Sequence, residues 1–348
     1  MRYAYVGCRT TKERNARGKG IEIYEVNDSN GGWTHVGTAG NLVNPSYLTF
    51  DHGKAFLYTV HGDFSEVSSF SVDRATGLLT LLGQTNCEGE NPVFLTPDRS
   101  NKFILTANLQ AGTIVALPRK NDGSLGPVAF KTTIPGIKEG DVSHPHQIIY
   151  DHSQSVLFVP SQGRKAGYSK TTVFTFSPET GFAIKFVLPT RDRAEARHVA
   201  VHLNNRWIYL INEKDNTICF HTFDVSTGCM IPIQILSTLP ETYVGNGQAS
   251  GIMVSHDVSH MYASNRIHDS ITIYAIDEKS GMLKTQGWVS TQGKTPRFIT
   301  IDPTGQYLYA ANEESDTILT FRIEENGSLT YTGQTIETGS PVCIIFSD

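Results

Sequence analysis

The stretch Ser340-Pro341-Val342-Cys343-Ile344-Ile345-Phe346-Ser347-Asp348 at the end of the chain decides the fold. A proline followed by a short apolar run is typical of the start of a β-strand. Similar runs occur at six earlier places, and in each a polar turn and a second apolar strand follow: 45–50, 92–97, 145–150, 196–201, 249–254 and 296–301. The seventh run lacks that second strand, whereas Arg2-Tyr3-Ala4-Tyr5-Val6-Gly7 at the start of the chain has no first strand before it.

The second strands of these units share one aromatic or aliphatic position that recurs about every fifty residues. The seven residues at that position are Tyr5, Tyr58, Leu105, Phe158, Tyr209, Tyr262 and Tyr309. A third strand, a turn that contains glycine and a fourth strand follow. Units of four short strands at this period predict an all-β fold, a seven-bladed β-propeller closed by pairing of the N- and C-terminal strands. We expect a single propeller domain over residues 1–348.

Composition narrows the class of protein. The formal net charge is −5, so no global bias toward nucleic acid or a membrane surface is present. No apolar run approaches the roughly 20 residues that span a bilayer. The five cysteines are scattered, which fits reduced thiols, and Met1 leads directly into a strand without a signal peptide. These features predict a cytoplasmic protein, which we expect to be a monomer or a weak homo-oligomer.

The predicted ring gathers residues from all units at one end of its central channel. The first strand of a blade runs along the channel and the second returns antiparallel, so the start of one and the end of the other meet. The residues just after the aligned proline or alanine are Ser46, Val93, His146, Arg197, Ser250, Arg297 and Val342. Those four beyond the anchor are Arg9, Gly62, Leu109, Gln162, Glu213, Arg266 and Glu313. The positions one step earlier include His61 and Asn265.

The residues predicted at this mouth are unevenly charged. Arg197, Arg266 and Arg297 accompany Glu213 and Glu313, which leaves a local positive excess in an acidic protein. Such a site suits a small carboxylate or phosphate, because guanidinium groups bind these anions with paired hydrogen bonds. The alternative is that these groups form structural ion pairs between blades.

Histidines supply the remaining candidates. In His144-Pro145-His146 two imidazoles are separated by one residue, so on a strand they face the same side, which permits metal binding or acid–base chemistry. A third ligand at metal-like spacing is absent nearby, so we predict no metal site. His268 follows Arg266 closely, and we expect it, with Asn265, His61, Arg297 and Glu313, to contact the substrate. The charged segment Arg9 to Gly20 is interpreted as a solvated loop rather than a lid.

Several of these segments resemble one known family. His144-Pro145-His146, Ala196-Arg197-His198, Asn212-Glu213, Ser264-Asn265-Arg266 and Thr295-Pro296-Arg297 with Asn312-Glu313 are similar to segments of the seven-bladed propeller lactonases. That family includes 6-phosphogluconolactonases and carboxy-cis,cis-muconate cyclases. The resemblance runs from end to end and implies a cofactor-independent reaction on a lactone ring. It implies that a histidine of the His144/His146 pair, with Arg197, Glu213 and Arg266, binds substrate and moves protons.

The leading functional hypothesis is therefore hydrolysis of a sugar-acid lactone. Arg197, Arg266 and Arg297 would hold a small anionic substrate, and His146 or His144 with Glu213 would take a proton from the attacking water. The reverse chemistry, lactonisation of a muconate-type dicarboxylate, is the second hypothesis. A non-enzymatic propeller scaffold is the third, although its binding face should be aromatic and apolar. A calcium-dependent lactonase would need a carboxylate–asparagine cage, for which Glu213, Asn265 and Glu313 are the candidates.

Overall fold

The structure of the chain, a computed structural model, describes residues 1–164 and 168–347. Asp348, the end of the quoted stretch and of the predicted 1–348 domain, lies outside the described residues. Regular structure in the described ranges is almost entirely β: twenty-nine strands, one short 3-10 segment at Lys12–Arg14 and no α-helix. The all-β prediction is confirmed.

The strands form seven antiparallel sheets, numbered here as blades 1 to 7 in chain order. Blade 1 begins with β1 (Arg2–Cys8), β2 (Gly20–Asn27) and β3 (Gly32–Gly40). Blade 2 comprises β4 (Pro45–Phe50), β5 (Phe56–His61), β6 (Glu66–Val72) and β7 (Leu79–Asn86). Blade 3 comprises β8 (Pro92–Pro97), β9 (Phe103–Asn108), β10 (Thr113–Pro118) and β11 (Phe130–Thr133).

Blade 4 departs from the repeat, because its innermost strand is split in two. It comprises β12 (His144–Pro145), β13 (Ile149–Tyr150), β14 (Leu157–Gln162), β15 (Lys170–Ser177) and β16 (Gly181–Pro189). Blade 5 comprises β17 (Ala196–Val201), β18 (Trp207–Asn212), β19 (Thr217–Asp224) and β20 (Cys229–Ser237). Blade 6 comprises β21 (Gln248–Val254), β22 (His260–Arg266), β23 (Ser270–Ile276) and β24 (Leu283–Ser290). Blade 7 comprises β25 (Pro296–Ile301), β26 (Tyr307–Asn312), β27 (Thr317–Ile323) and β28 (Leu329–Glu337).

The last strand, β29 (Pro341–Phe346), completes blade 1. It pairs antiparallel with β1, with Val6 opposite Ile344 and Ala4 opposite Phe346. The innermost strand of blade 7 contacts β29, which in turn contacts that of blade 2, so the ring is closed. The predicted seven-bladed propeller and its closure by the two terminal strands are both confirmed.

A repeated contact joins most neighbouring blades. The hydroxyl of the second-strand tyrosine donates a hydrogen bond to the carbonyl oxygen of a glycine in the outer turn of the next blade. These bonds are Tyr5 to Gly77 at 2.8 Å, Tyr58 to Gly123 at 3.0 Å, Tyr209 to Gly281 at 2.8 Å, Tyr262 to Gly327 at 3.0 Å and Tyr309 to Gly31 at 2.9 Å. Each glycine has a positive φ, which favours glycine over other residues. Leu105 and Phe158 hold this position in blades 3 and 4 and have no hydroxyl to donate.

Bulges at the start of the innermost strands shape the channel. The pairing register shifts between Pro45 and Tyr47, between Pro92 and Phe94, between Ala196 and His198, and between Pro296 and Phe298. A bulge breaks the strict alternation of side chains. Consecutive residues such as Arg197 and His198 therefore both line the channel.

Closure of the ring predicts a large cost for weakening the terminal pair. Ile344 is 1% exposed and packs in the cluster that joins blades 7 and 1. Ile344→Ala should lower the free energy of unfolding by about 2–5 kcal/mol, the range for removing a buried isoleucine side chain. Ile235→Ala on the outer strand β20, where the side chain is 46% exposed, should change it by less than about 0.5 kcal/mol.

Denaturant unfolding followed by circular dichroism measures both variants. That the ring is a single domain stays a prediction, which a single cooperative transition would support. Equal effects of the two substitutions would contradict the importance of closure.

Candidate active site

Three predicted residues meet at one end of the channel. Glu213 follows β18, and its two carboxylate oxygens lie 3.3 Å from Arg197 Nε and 3.2 Å from Arg266 Nη2. The backbone holds both guanidinium groups in place, since Arg197 donates to the carbonyl of Ser250 at 2.7 Å and Arg266 to that of Ala249 at 3.2 Å. We call this end of the channel the charged mouth, and its first triad consists of Arg197, Glu213 and Arg266.

A second group of charges faces the first. Glu313 lies 3.4 Å from Arg297 Nη1 and 3.1 Å from Arg9 Nε. Arg9 reaches on to Asp63 at 3.3 Å, and Asp63 also pairs with Arg14 from the 3-10 segment. The ion pairs of Arg9 and Arg14 therefore hold the Arg9 to Gly20 segment against the mouth. A fully solvated loop would lack such contacts.

The charged mouth carries an excess of positive charge. Arg9, Arg14, Arg197, Arg266 and Arg297 face only three carboxylates, those of Asp63, Glu213 and Glu313. A buried charge is costly unless it is paired. An anionic ligand would balance the excess, and the guanidinium geometry suits a carboxylate or phosphate.

Burial and neighbouring charges shift the protonation equilibria. Burial would raise the pKa of Glu213, but Arg266 and Arg197 outweigh it and hold the pKa at about 2. Glu213 is therefore an ionised partner of two arginines and a weak base, which argues against the proton-accepting role proposed for it from the sequence. Burial, reinforced by Arg266 and partly offset by Glu213, lowers the pKa of Arg197 to about 9.

The two candidate histidines do not share a face, because β12 ends at Pro145 and the strand is interrupted. His144 Nδ1 lies 2.8 Å from the carbonyl oxygen of Leu109, which can only accept, so Nδ1 carries the proton and Nε2 is left as an acceptor. His146 is 5% exposed, and its ring lies 5.1 Å from that of His198. Burial lowers the pKa of both His144 and His146, for His146 with help from Arg197, so both are neutral at pH 7.

Two predicted substrate contacts fall on the wrong side of their strands. Asn265 is fully buried, and its amide donates to Thr238, Ser270 and Thr272 inside the sheet. His61 is 2% exposed and uses both ring nitrogens, on the Val43 carbonyl and the Ser68 hydroxyl. Side chains alternate along a strand, so Asn265 points away from the channel because Arg266 points into it.

His268 also lies apart from the charged mouth. Its Nδ1 is 2.6 Å from Ser270 Oγ, and its ring packs edge-on against Tyr243 at 4.5 Å. These contacts turn it toward the loop before β21. The structure therefore brings together Arg197, Glu213, Arg266, Arg297 and Glu313, with His146 and His144 beside them, and leaves out His268.

Sequence reasoning did not select three residues that belong to the site. The repeat placed Arg9 at the aligned mouth position of blade 1, but Arg9 was not selected as a candidate site residue. Gln162 occupies the same position in blade 4, and its amide donates to Glu213 Oε2 at 2.9 Å. His198 could not be found in this way, because only the bulge turns it into the channel, where its Nδ1 accepts from Arg197 at 3.3 Å.

The channel is divided along its length. A cavity of about 20 Å³, the throat, is lined by Arg9, Ser46, His146, Arg197 and Arg297. Beneath it lies an aromatic floor formed by Tyr47, Phe94, His198 and Phe298. A cleft of about 760 Å³ opens beside the mouth and is lined by Gln110, His144, Gln162, Arg164, Arg193, Glu195, Glu213 and Lys214.

Residues 1–164 and 168–347 offer neither a cluster of metal donors nor a helix that could span a membrane. No group of three or more His, Cys, Asp or Glu side chains is placed there to hold a metal ion. Both carboxylates suggested for a calcium cage, Glu213 and Glu313, are instead paired with arginines. In the same ranges no helix has the length and apolarity needed to cross a membrane.

Comparison with known proteins agrees with this geometry. A family model described as "Lactonase, 7-bladed beta-propeller" matches residues 3–346. The 6-phosphogluconolactonase of Bacillus subtilis is 29% identical over 351 residues, which cover 98% of this chain and 97% of the relative. The 6-phosphogluconolactonase of Formosa agariphila is 26% identical, covering 93% and 94%.

A solved structure with the same fold is the periplasmic gluconolactonase of Pseudomonas aeruginosa. Its TM-score is 0.91 at 24% identity, with 100% of this chain and 99% of that chain covered. At this identity the likeness speaks for the fold alone. Because that protein is named as periplasmic, the cytoplasmic location expected for this chain stays a prediction.

The first triad predicts a pH-dependent contribution to stability. The folded pKa of Glu213 lies below its ordinary 4.5, so its pairing stabilises the fold above that pH and is lost as pH falls toward 2. Glu213→Gln should lower the free energy of unfolding by about 3–5 kcal/mol at pH 7, because two buried guanidinium groups lose their counter-charge. It should also make the free energy of unfolding less dependent on pH between 2 and 4.5. Glu324→Gln, at a surface pair with Arg322, should leave the free energy of unfolding and its pH dependence nearly unchanged. Urea unfolding between pH 2 and pH 7 measures the difference, and an unaltered curve for Glu213→Gln would contradict the assignment.

Proposed function

Because the chain belongs to the seven-bladed β-propeller lactonase family, we propose that it hydrolyses a sugar-acid lactone, with 6-phosphogluconolactone as the leading substrate. The observation that carries this proposal is the unbalanced positive charge of the mouth beside two neutral imidazoles. Anion binding and proton transfer are the two requirements for opening an anionic lactone with water.

Anion binding is assigned mainly to Arg297. The guanidinium groups of Arg197 and Arg266 are committed to Glu213 and to backbone carbonyls, so they set the local potential and the shape of the site. Arg297 is more accessible, with 22% of its side chain exposed, and its only described ion pair is the 3.4 Å contact with Glu313. It therefore has donors available for a substrate anion.

A phosphate group on the substrate fits the neighbouring cleft. Arg164, Arg193 and Lys214 line this cleft together with His144 and Glu213, so a second anionic group would find cations within the same opening. The Arg193 side chain is 87% exposed and lies 4.0 Å from Asp192, an arrangement that leaves it available. This favours a phosphorylated lactone over a neutral one.

The chemical step needs one base and one group that stabilises the oxyanion. A neutral imidazole takes a proton from water as the water oxygen attacks the lactone carbonyl. The guanidinium groups around the throat stabilise the developing oxyanion, an effect typically worth about 3–4 kcal/mol. The ring C–O bond then breaks, and the imidazolium returns its proton to the leaving ring oxygen. No cofactor takes part in this scheme.

Two imidazoles can serve as the base. His146 lies in the throat next to Arg197 and Arg297, whereas His144 presents Nε2 as an acceptor in the wider cleft. The lactonisation of a muconate-type dicarboxylate, in which a carboxylate oxygen adds to an alkene carbon and a proton is delivered to the neighbouring carbon, would use the same charged groups. The charged mouth gives no support to a scaffold function, which would call for an apolar, aromatic face.

The assay that tests the proposal measures acid release from 6-phosphogluconolactone and gluconolactone and, in parallel, the change in ultraviolet absorbance of a carboxymuconate. The phosphorylated lactone should show the highest kcat/KM. Arg197→Ala should lower kcat by about 10²–10³, the effect of losing one electrostatic group at a developing oxyanion. Arg322→Ala, at a surface arginine with 59% side-chain exposure, is the matched control and should retain full activity. Equal activity of the two variants would refute the assigned site, and turnover of the muconate alone would refute the substrate class.

The base is identified by variants and by pH. Because the pKa of each histidine is lowered from its ordinary 6.5, activity should rise with pH through a point below 6.5 and be at its plateau by pH 7. His146→Asn and His144→Asn should differ in their effects. The variant that lacks the acting base should lose most of its turnover and also the rise of activity with pH below 6.5. If both variants keep that rise of activity with pH, neither histidine is the base.

A further inference from the structure

A second cavity occupies the opposite end of the channel. It has a volume of about 450 Å³ and lies below the aromatic floor, between the innermost strands of blades 4, 5, 6 and 7. The charged mouth has no part in it. We call it the lower cavity, and its aliphatic lining includes Ile149, Val201, Ile252, Met253, Val254 and Ile299. This size is within the range of pockets that bind small molecules.

Gln147 and His152 in the lining of the lower cavity are already engaged with the protein, whereas His198 Nε2 is buried without a hydrogen-bond partner among the described residues. The Gln147 amide donates to the Val199 carbonyl at 3.4 Å and accepts from the Val199 amide at 2.7 Å. His152 Nε2 lies 3.0 Å from the Val201 carbonyl. An occupant would therefore meet aliphatic and aromatic surface. A charged or strongly polar molecule would lose hydration there without compensation.

The rim of this cavity departs from the repeat. In blades 2 to 7 the turn that ends the innermost strand has one residue with positive φ. In five of these blades that residue is polar or glycine: Lys54, Asn101, Gln154, Asn205 and Gly305. In blade 6 it is Val258, at φ 55°. A β-branched residue is a marked outlier in this left-handed region. Such strain is often retained at functional sites.

Blade 5 shows a similar departure on the same rim. Leu203 follows the first residue of its turn and is 61% exposed. The equivalent residues in five other blades are His52, Arg99, His152, His256 and Pro303. Leu203 and Val258 both line the lower cavity. Two apolar residues in unfavourable positions thus extend the apolar lining outward at its opening.

We propose that the lower cavity is a binding site for a small, uncharged, apolar molecule, separate from the charged mouth. The cavity is closed above by the aromatic floor, so a bound molecule would enter and leave at the rim of Leu203 and Val258. Its depth and limited volume favour a small molecule over the surface of another protein. The site is independent of the lactonase function.

The probes for this site are two dyes that share one skeleton. N-phenyl-1-naphthylamine is uncharged, and 8-anilinonaphthalene-1-sulfonate adds a sulfonate. Fluorescence titration of the full chain should give saturable binding of the uncharged dye to one site, at least about tenfold tighter than that of the sulfonate. Equal affinities, tighter sulfonate binding or non-saturable uptake would overturn the proposal.

Variants locate the site. Val258→Asn and Leu203→Asn should each weaken binding of the uncharged dye about tenfold, since each removes one aliphatic side chain from contact. Val258→Asn should also raise the melting temperature, because asparagine tolerates positive φ. Ile267→Asn is the control: Ile267 is β-branched like Val258 and has φ 76°, but it is 52% exposed and lies at the opposite end of β22. It should raise the melting temperature without changing dye affinity.

Two outcomes of these experiments would overturn the proposal. Unchanged dye affinity in both rim variants, or an equal loss in Ile267→Asn, would show that the dye binds elsewhere. If light scattering shows dimers and dye binding falls as protein concentration rises, the cavity receives a second copy of the chain rather than a small molecule.

Discussion

The antiparallel pairing of β29 with β1 is the constraint on which the rest of the structure depends. It brings Arg9, just after the first strand, to within 3.1 Å of Glu313, which follows the last complete second strand. The second half of the charged mouth therefore spans the point where the ring closes. An open chain would place Arg9 and Glu313 at opposite ends of a curved stack of sheets, and the positive excess at the mouth would be lost.

The repeat in the sequence accounted for the blades, their number and the closure, because the anchors from Tyr5 to Tyr309 recur at one position in each unit. It also predicted that one end of the channel brings together Arg197, Glu213, Arg266, Arg297 and Glu313. Asn265 and His61 were misplaced because the aligned position next to a channel residue faces the other side of the strand. His198 and the separation of His144 from His146 depend on a bulge and a strand break, which leave no signal in hydrophobic periodicity.

The channel shows how one ring can carry two environments. Above the aromatic floor, guanidinium and carboxylate groups lie within hydrogen-bonding distance of one another, and burial strengthens their interactions. Below it, the lining is mostly apolar, and Gln147 and His152 are bound to backbone groups. His198 belongs to the floor itself, with one face toward the throat and the other toward the lower cavity. Tyr47 and Phe298 likewise line both cavities.

The hydroxyl-to-glycine bonds between blades are not uniform, and their distribution has a mechanical consequence. Leu105 and Phe158 omit the bond at the junctions of blades 3 with 4 and 4 with 5, and blade 4 is also the one whose innermost strand is split. Other hydrogen bonds cross these two junctions beside the cleft: His144 contacts the Leu109 carbonyl, and the Gln162 amide donates to Glu213. The blades that lack the outer bond are therefore joined partly by side chains of the candidate site, so a substitution at His144 or Glu213 should loosen the ring as well as change the chemistry.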